Sequence, residues 1–327
     1  MQRRYRRILQ WLVMLLSLGY VVHFVISRWQ DVRATLSIDA GPLAAVVAIH
    51  FLYFVLHALR YHIVLIKCSG RMVAWGTWFR LFIVGRFLNL IVPQLGNVFR
   101  AVRLKADHGI NYTQYVTSMF AFTWLDTCIN LLLAVAIVGL TSSDLHIGAI
   151  PAVYGLLMAF AAVAAGPVLL RWVLPRPSGR TGLTARMHAR VAELLDVTTR
   201  SLGDARFMAA TFGLGAAVFG VLCAASWLAC RGLGIEAGLA EVAVLCVVLK
   251  LATFVTIAPG NLGVLELAFG VLASTLAMGM AEGMVLSAVL RVVRYVCLIA
   301  LAIPLGGLQV LHDRGAYERA AAPQVEN

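Results

Sequence analysis

Apolar runs near or above the roughly 20 residues that a helix needs to cross a bilayer recur along this chain, and two of them carry proline, glycine and asparagine in their interiors. Hydrocarbon offers no water to backbone N–H and C=O groups, so such a chain spans only as helices whose hydrogen bonds close internally. With 61% hydrophobic residues and a mean hydropathy of +0.87, the 327 residues read as an all-α polytopic membrane protein. A proline or glycine break inside an apolar run then frees backbone groups that only protein or a wet cavity can receive.

Charge gives the expected orientation. Ile8 to Ser27 follows the basic MQRRYRRI, runs too long for a signal-peptide core and lacks a small-residue cleavage site, so it reads as a retained first span with a cytoplasmic N-terminus. Pro42 to Ile66 is a second span ending at Lys67 and Arg71, residues 73–106 are an apolar segment broken by NLIVPQLGN, and Gln114 to Leu140 spans again. TSSDLHIG, without lysine or arginine, suits the outer face. Ile150 to Leu174 returns to a connection over 171–206 with seven arginines against Glu193, Asp196 and Asp204, which the positive-inside rule puts in the cytoplasm. Phe207 to Cys230 spans, 239–280 is broken by IAPGNLG, and Met284 to Leu308 ends before His312, Arg314 and Arg319 of the 309–327 tail, also read as cytoplasmic.

The expected fold is thus one transmembrane domain over residues 1–308, built from two inverted repeats, about 8–140 and 150–308. Each has about three spanning helices plus one broken, re-entrant helical hairpin. Each break places Leu-Gly after its proline, Pro93-Gln-Leu-Gly96 and Pro259-Gly-Asn-Leu-Gly263. Matching half-broken segments in corresponding positions point to a transport site near the membrane midplane. The competing reading is a pair of proline kinks in packed helices, and charge parity does not separate re-entry from two crossings.

Asn89, Pro93, Gly96, Asn97, Arg100 and Arg103 cluster at the first break, with Arg86 and Lys105 nearby. Arg100 and Arg103 share a face by their i, i+3 spacing. A half-helix N-terminus with free amides beside guanidinium groups suits a phosphate; the alternative is that Arg100, Arg103 and Lys105 mark the cytoplasmic edge and snorkel to headgroups. Pro259, Gly260, Asn261, Gly263 and Glu266 define the second break, with Lys250 before it and Arg291 and Arg294 on the next helix. Glu266 is expected to pair with one of those arginines, as a structural salt bridge or in a substrate or proton-handling role. Asp126 in FTWLDTCIN is a lone mid-span carboxylate, a candidate for charge balance or proton handling, expected opposite an arginine of the first hairpin. His50, His57 and Arg60 fall on one face of the second span with Tyr53 nearby; without a carboxylate beside them, helix packing outweighs a polar path and metal binding is not expected.

Other classes find no support. There is no GxxxxGK[ST] loop, nucleophile elbow, zinc-protease motif, dinucleotide fingerprint or nucleic-acid motif, so no cofactor or metal is expected. The formal charge of +12 reports orientation and anionic lipid headgroups. Six scattered cysteines without a CxxC pair form neither a disulfide frame nor a zinc site.

FLNLIVPQLGNVFRAVRLK with HGINYTQY after it, FTWLD, and APGNLGVLELAFG followed by EGMVLSAVLRVVRY together make the chain resemble the transmembrane region of lysylphosphatidylglycerol synthases, also found as stand-alone flippase-like proteins of the uncharacterised protein family numbered 0104. The resemblance covers nearly the whole chain. In the first motif Pro93, Gly96 and Arg100 fit that family's pattern, whereas Asn97 replaces its usual acidic residue. Phe122 and Thr123 stand where the family carries a Glu-Arg pair ahead of Asp126, while Pro259, Gly260, Gly263, Glu266 and Arg291 all fit. The resemblance implies movement of a lipid between leaflets, the soluble domain that makes the aminoacylated lipid in full-length synthases being absent from this sequence.

The leading expectation is therefore a lipid flippase or scramblase of the bacterial cytoplasmic membrane and not an enzyme. Its partners would be membrane lipids, anionic or phosphate-bearing, and envelope-synthesis enzymes, with no nucleic acid. The rivals are an intramembrane transferase using a lipid-phosphate donor and an accessory subunit of an envelope-synthesis complex.

Overall fold

The structure, a computed structural model, describes residues 40–312 apart from 93, 143, 148–149, 174–202, 253–262 and 277, together with positions 19, 23, 26 and 27. The expected first span, the bulk of the basic connection and the tail therefore lie outside the described residues, as do Pro93, Pro259, Gly260 and Asn261. In chain order the helices are α1 Ala40–Ser69, α2 Trp75–Ile91, α3 Leu95–His108, α4 Tyr112–Thr141, α5 Ala152–Val173, α6 Ala205–Gly232, α7 Leu239–Ala252, α8 Val264–Thr275, α9 Met280–Ala302 and the short α10 Gly307–His312. Among the described residues four helices are long and apolar enough to cross a membrane: Gly41–Ser69, Tyr112–Thr141, Ala205–Gly232 and Met280–Ala302.

The spans extend two to four residues beyond several sequence-based limits because their ends are capped. Asn111 and Gln114 form a reciprocal capping box that starts α4 at Tyr112. Asp204 Oδ1 accepts the Arg206 and Phe207 amides at 3.0 and 3.1 Å and starts α6 at Ala205. The last span begins at Met280 and stops at Ala302, six residues short of the expected Leu308, because the chain turns through Ile303–Gly306 into α10. TSSDLHIG is not a plain loop: His146–Ile147 (β1) pairs antiparallel with Ile150–Pro151 (β2).

Apolar side chains face out and polar ones face in, as hydrocarbon demands. Leu140, Tyr154, Val292 and Val296 are exposed, whereas His50, His57, Arg60, Asp126 and Asn130 are buried. Polar groups within α4 return to the backbone one turn earlier: Thr123 Oγ1 donates to Met119 O at 2.7 Å and Asn130 Nδ2 to Asp126 O at 2.5 Å. Pro167 inside α5 has no N–H for the Val163 carbonyl four residues back, and Trp124 Nε1 of α4 supplies the missing donor at 2.9 Å.

α1 and α6 make the most extensive helix–helix contact. α4 packs on α1, α5, α6 and α7, and α9 on α1, α2, α6 and α8. α2 packs on α3, and α7 on α8. At one end of the α1–α6 pair Lys67 Nζ donates to Asp204 Oδ2 at 2.6 Å, and this ammonium with the two capping amides holds the Asp204 carboxyl below its ordinary range. A carboxyl whose folded value is depressed stabilises the fold above its unfolded value, near 4, and loses that contribution as pH falls through the folded value. Wild type is expected to lose more thermal stability than an Asp204→Asn variant between pH 6 and about pH 3, measured by thermal unfolding in detergent; parallel profiles would refute the linkage.

Candidate functional site

The first broken hairpin closes on two glycines. A Cβ built at Gly96 would stand 1.6 Å from the Gly85 carbonyl oxygen, so α2 and α3 touch backbone to backbone. Gln94, with φ of 69°, turns the chain in the left-handed region, a conformation costly to any residue with a side chain. The first amides of α3 are all taken: Leu95 N–H by Val92 O at 3.2 Å, Gly96 N–H by Asn89 Oδ1 at 2.7 Å, and Asn97 and Val98 N–H by Gln94 O at 3.1 Å. The free-amide cradle expected at Gly96 is therefore not there, because Asn89 spends its carbonyl on that amide.

Arg100, one turn further on, is buried. Its Nε donates to Gly96 O at 3.2 Å and its Nη2 to Asn97 Oδ1 at 2.5 Å, while Asn97 Nδ2 donates to Gln94 Oε1 at 2.5 Å. Its guanidinium lies 5.9 Å from the ring centres of both Tyr61 and Phe82. Arg103 does not accompany it: three residues rotate the side chain about 60° off the Arg100 face, and it is exposed. Lys105 is exposed as well, over the Tyr112 ring at 4.7 Å.

In the second hairpin Gly263, with φ of 79°, precedes α8. Its amide donates to Glu266 Oε2 at 2.8 Å, and Glu266 Oε1 accepts from Arg291 Nη2 at 2.9 Å. One carboxylate thus caps its helix and neutralises the arginine at the centre of α9. The two hairpins use the same device, a side-chain oxygen on the glycine amide, Asn89 on Gly96 and Glu266 on Gly263.

A charge cluster that the sequence resolved only in part joins α1, α4 and α7. Asp126 was expected opposite an arginine of the first hairpin. It instead accepts from Arg60 Nη1 of α1 through Oδ1 and from Lys250 Nζ of α7 through Oδ2, the latter at 3.1 Å. Arg60 can lie there because Gly215 of α6 has no side chain; a Cβ at that position would be 3.1 Å from the Arg60 Cζ. His57, read as packing, meets Arg86 of α2, with Nη2 to Nε2 at 2.6 Å. A guanidinium has no acceptor, so Nε2 carries the lone pair and the neutral ring holds its hydrogen on Nδ1, an assignment made from the partner. The signal for His57 and Arg60 was present in their shared helical face, but the partners that give them meaning are supplied by other helices.

Asp126 stands about 21 Å along α4 from the nearer helix end, and Arg291 sits midway along α9, so both lie at mid-span depth. Arg294 follows Arg291 by three residues on α9, which packs on α1 and α2. The described residues contain no group of three His, Cys, Asp or Glu side chains placed to hold a metal ion.

Helices of bilayer length, an apolar exterior and ionisable groups gathered inside define an all-α integral membrane protein. Residues 8–302 match the family described as the lysylphosphatidylglycerol synthase TM region, and the chain belongs to that family, whose role is tied to membrane lipid. Comparison with curated proteins and with solved structures returned no match.

Proposed function

We propose that the protein moves a phosphate-bearing lipid between the leaflets of the bacterial cytoplasmic membrane, without catalysing a covalent step. The observation that carries this reading is the excess of cations at membrane depth. Arg60, Arg86, Arg100, Lys250, Arg291 and Arg294 stand against two carboxylates, Asp126 and Glu266, in a protein whose exterior is apolar. Embedded charges are costly and mark pathways for polar groups.

The helix packing supports an inverted repeat. Exchanging α1 with α6, α2 with α7, α3 with α8 and α4 with α9 turns the contacts α1–α2, α1–α4, α2–α3, α3–α4, α4–α6 and α4–α7 into others that are also made. The hairpin limbs α2, α3 and α8, whose two ends are described, have 17, 14 and 12 residues, below the roughly 20 of a full crossing, which supports re-entry. On this reading the basic 171–206 connection and both termini face the cytoplasm.

Arg100 makes no ion pair among the described residues, which leaves its charge for a phosphate. Arg100→Ala is expected to slow leaflet exchange of labelled anionic lipid in proteoliposomes about tenfold or more, beyond the modest fall in melting temperature that follows from its two lost hydrogen bonds within α3. Unchanged exchange by the inserted variant counts against the role. Glu266→Gln should slow exchange and also lower stability, since it strands Arg291. Absence of exchange above empty liposomes for every lipid would shift the reading to an intramembrane transferase or an accessory subunit of envelope synthesis.

A further inference from the structure

Arg86, Arg100 and Arg294 come from three different helices, α2, α3 and α9; the Arg86 and Arg100 guanidinium groups stand 5.0 and 5.9 Å from the centre of the same Phe82 ring, and α9, which carries Arg294, packs on α2. Among the described residues none of the three pairs with a carboxylate. Arg86 donates to the neutral His57 ring, Arg100 to an amide and a carbonyl, and the Arg294 Nε is buried without a partner. Like charges gathered away from water repel strongly and are stabilised by an anion placed among them.

The carboxylates that could offset them are already committed, Asp126 to Arg60 and Lys250, and Glu266 to Arg291 and the Gly263 amide. The sequence adds no other away from the helix ends. The segment between α7 and α8 reads TFVTIAPGNL, and 8–27 reads ILQWLVMLLSLGYVVHFVIS; neither contains an acid. Asn97, the side chain nearest the Arg100 Nη2, is a neutral amide, so the Arg100 charge stays available. A phosphate oxygen would find guanidinium donors here, whereas an ammonium would find no free carboxylate and three cations.

We propose that Arg86, Arg100 and Arg294 form a subsite for the phosphate of a lipid whose headgroup is net anionic, and that their combined charge excludes a cationic, aminoacylated headgroup. The lipid nature of the occupant rests on the transport reading above; the charge selectivity rests on the side chains alone.

Two assays on the full chain separate the two. In detergent micelles, tryptophan fluorescence is titrated with phosphatidic acid, phosphatidylglycerol, phosphatidylethanolamine and lysyl-phosphatidylglycerol of identical acyl chains, and with glycerol 3-phosphate. The anionic lipids are expected to bind about tenfold or more tightly than the lysyl lipid. Asn97→Asp places a carboxylate on Arg100 and is expected to weaken anionic binding about tenfold and narrow that ratio, while its melting temperature holds or rises. A purely structural Asn97 would not link weaker binding to equal or greater stability. Equal or tighter binding of the lysyl lipid, or unchanged anionic affinity in Asn97→Asp, overturns the subsite. Glycerol 3-phosphate binding as tightly as phosphatidic acid overturns the lipid source and assigns the site to a soluble phosphate. The same lipids are then followed for leaflet exchange in proteoliposomes. Selective binding without exchange supports the subsite and removes the transport reading; exchange indifferent to headgroup charge removes the subsite and leaves transport standing.

Discussion

Asp126→Asn is expected to destabilise the protein by about 3–5 kcal/mol, the cost of leaving a buried ion-pair partner uncompensated. The carboxylate holds two cations from two other helices, Arg60 and Lys250, and its residue is buried at mid-span. Arg60 has nowhere to turn: its side chain is fully buried, its Nε and Nη2 have no other partner, and its guanidinium lies close against Gly215. Asparagine keeps the shape but offers one neutral acceptor to two charges. Thermal unfolding in detergent should fall by roughly 5–15 °C. The double variant Asp126→Asn/Lys250→Met should recover part of the loss, because it removes one stranded charge along with its partner. A single variant that melts with wild type would mean that the triad is not a structural anchor.

The second large effect is expected at Gly96. Alanine there drives a methyl to within 1.6 Å of the Gly85 carbonyl oxygen and 2.5 Å of its carbon, and backbone cannot rotate away as a side chain can. The clash also reaches Asn89 Oδ1 at 2.9 Å, the acceptor of the Gly96 amide. α2 and α3 must part, at a cost of about 1–3 kcal/mol or more, and Arg100 moves with α3. Gly96→Ala should therefore lower the melting temperature and abolish headgroup binding together. Gly139 of α4 has open space around its Cβ direction, so Gly139→Ala should be neutral or stabilising by up to about 1 kcal/mol. Equal behaviour of the two variants would dismiss the close crossing of the first hairpin.

Much of the architecture was legible in the order of residues. Hydropathy located the described spans to within a few residues except at the end of the last, which stops six residues early, because a segment that crosses hydrocarbon must be apolar over a length the bilayer dictates. The break between α2 and α3 was legible for a related reason: proline removes a backbone donor wherever it falls in a helix interior. The mid-span position of Asp126 announced a site, since an ionisable group at that depth needs a partner. Which partner was not legible. Arg60 and Lys250 stand 66 and 124 residues from Asp126 in the chain, and periodicity within a helix says nothing about which other helix its face will meet. The same limit hid the state of the hairpin amides. Gly96 was read as opening a half-helix and the helix starts beside it at Leu95, yet whether the amides of Gly96 and Gly263 stay open to a ligand depends on Asn89 and Glu266 reaching back to them.

The sequence by itself determined a helical membrane protein with a broken apolar hairpin and an excess of embedded cations, because length, hydropathy and side-chain charge are properties of the chain alone. Only the tertiary structure decided which cations are neutralised and which stand open. Ion pairing depends on distances between helices far apart in sequence, and those distances follow from packing, such as the close approaches at Gly85, Gly96 and Gly215 that only glycine permits.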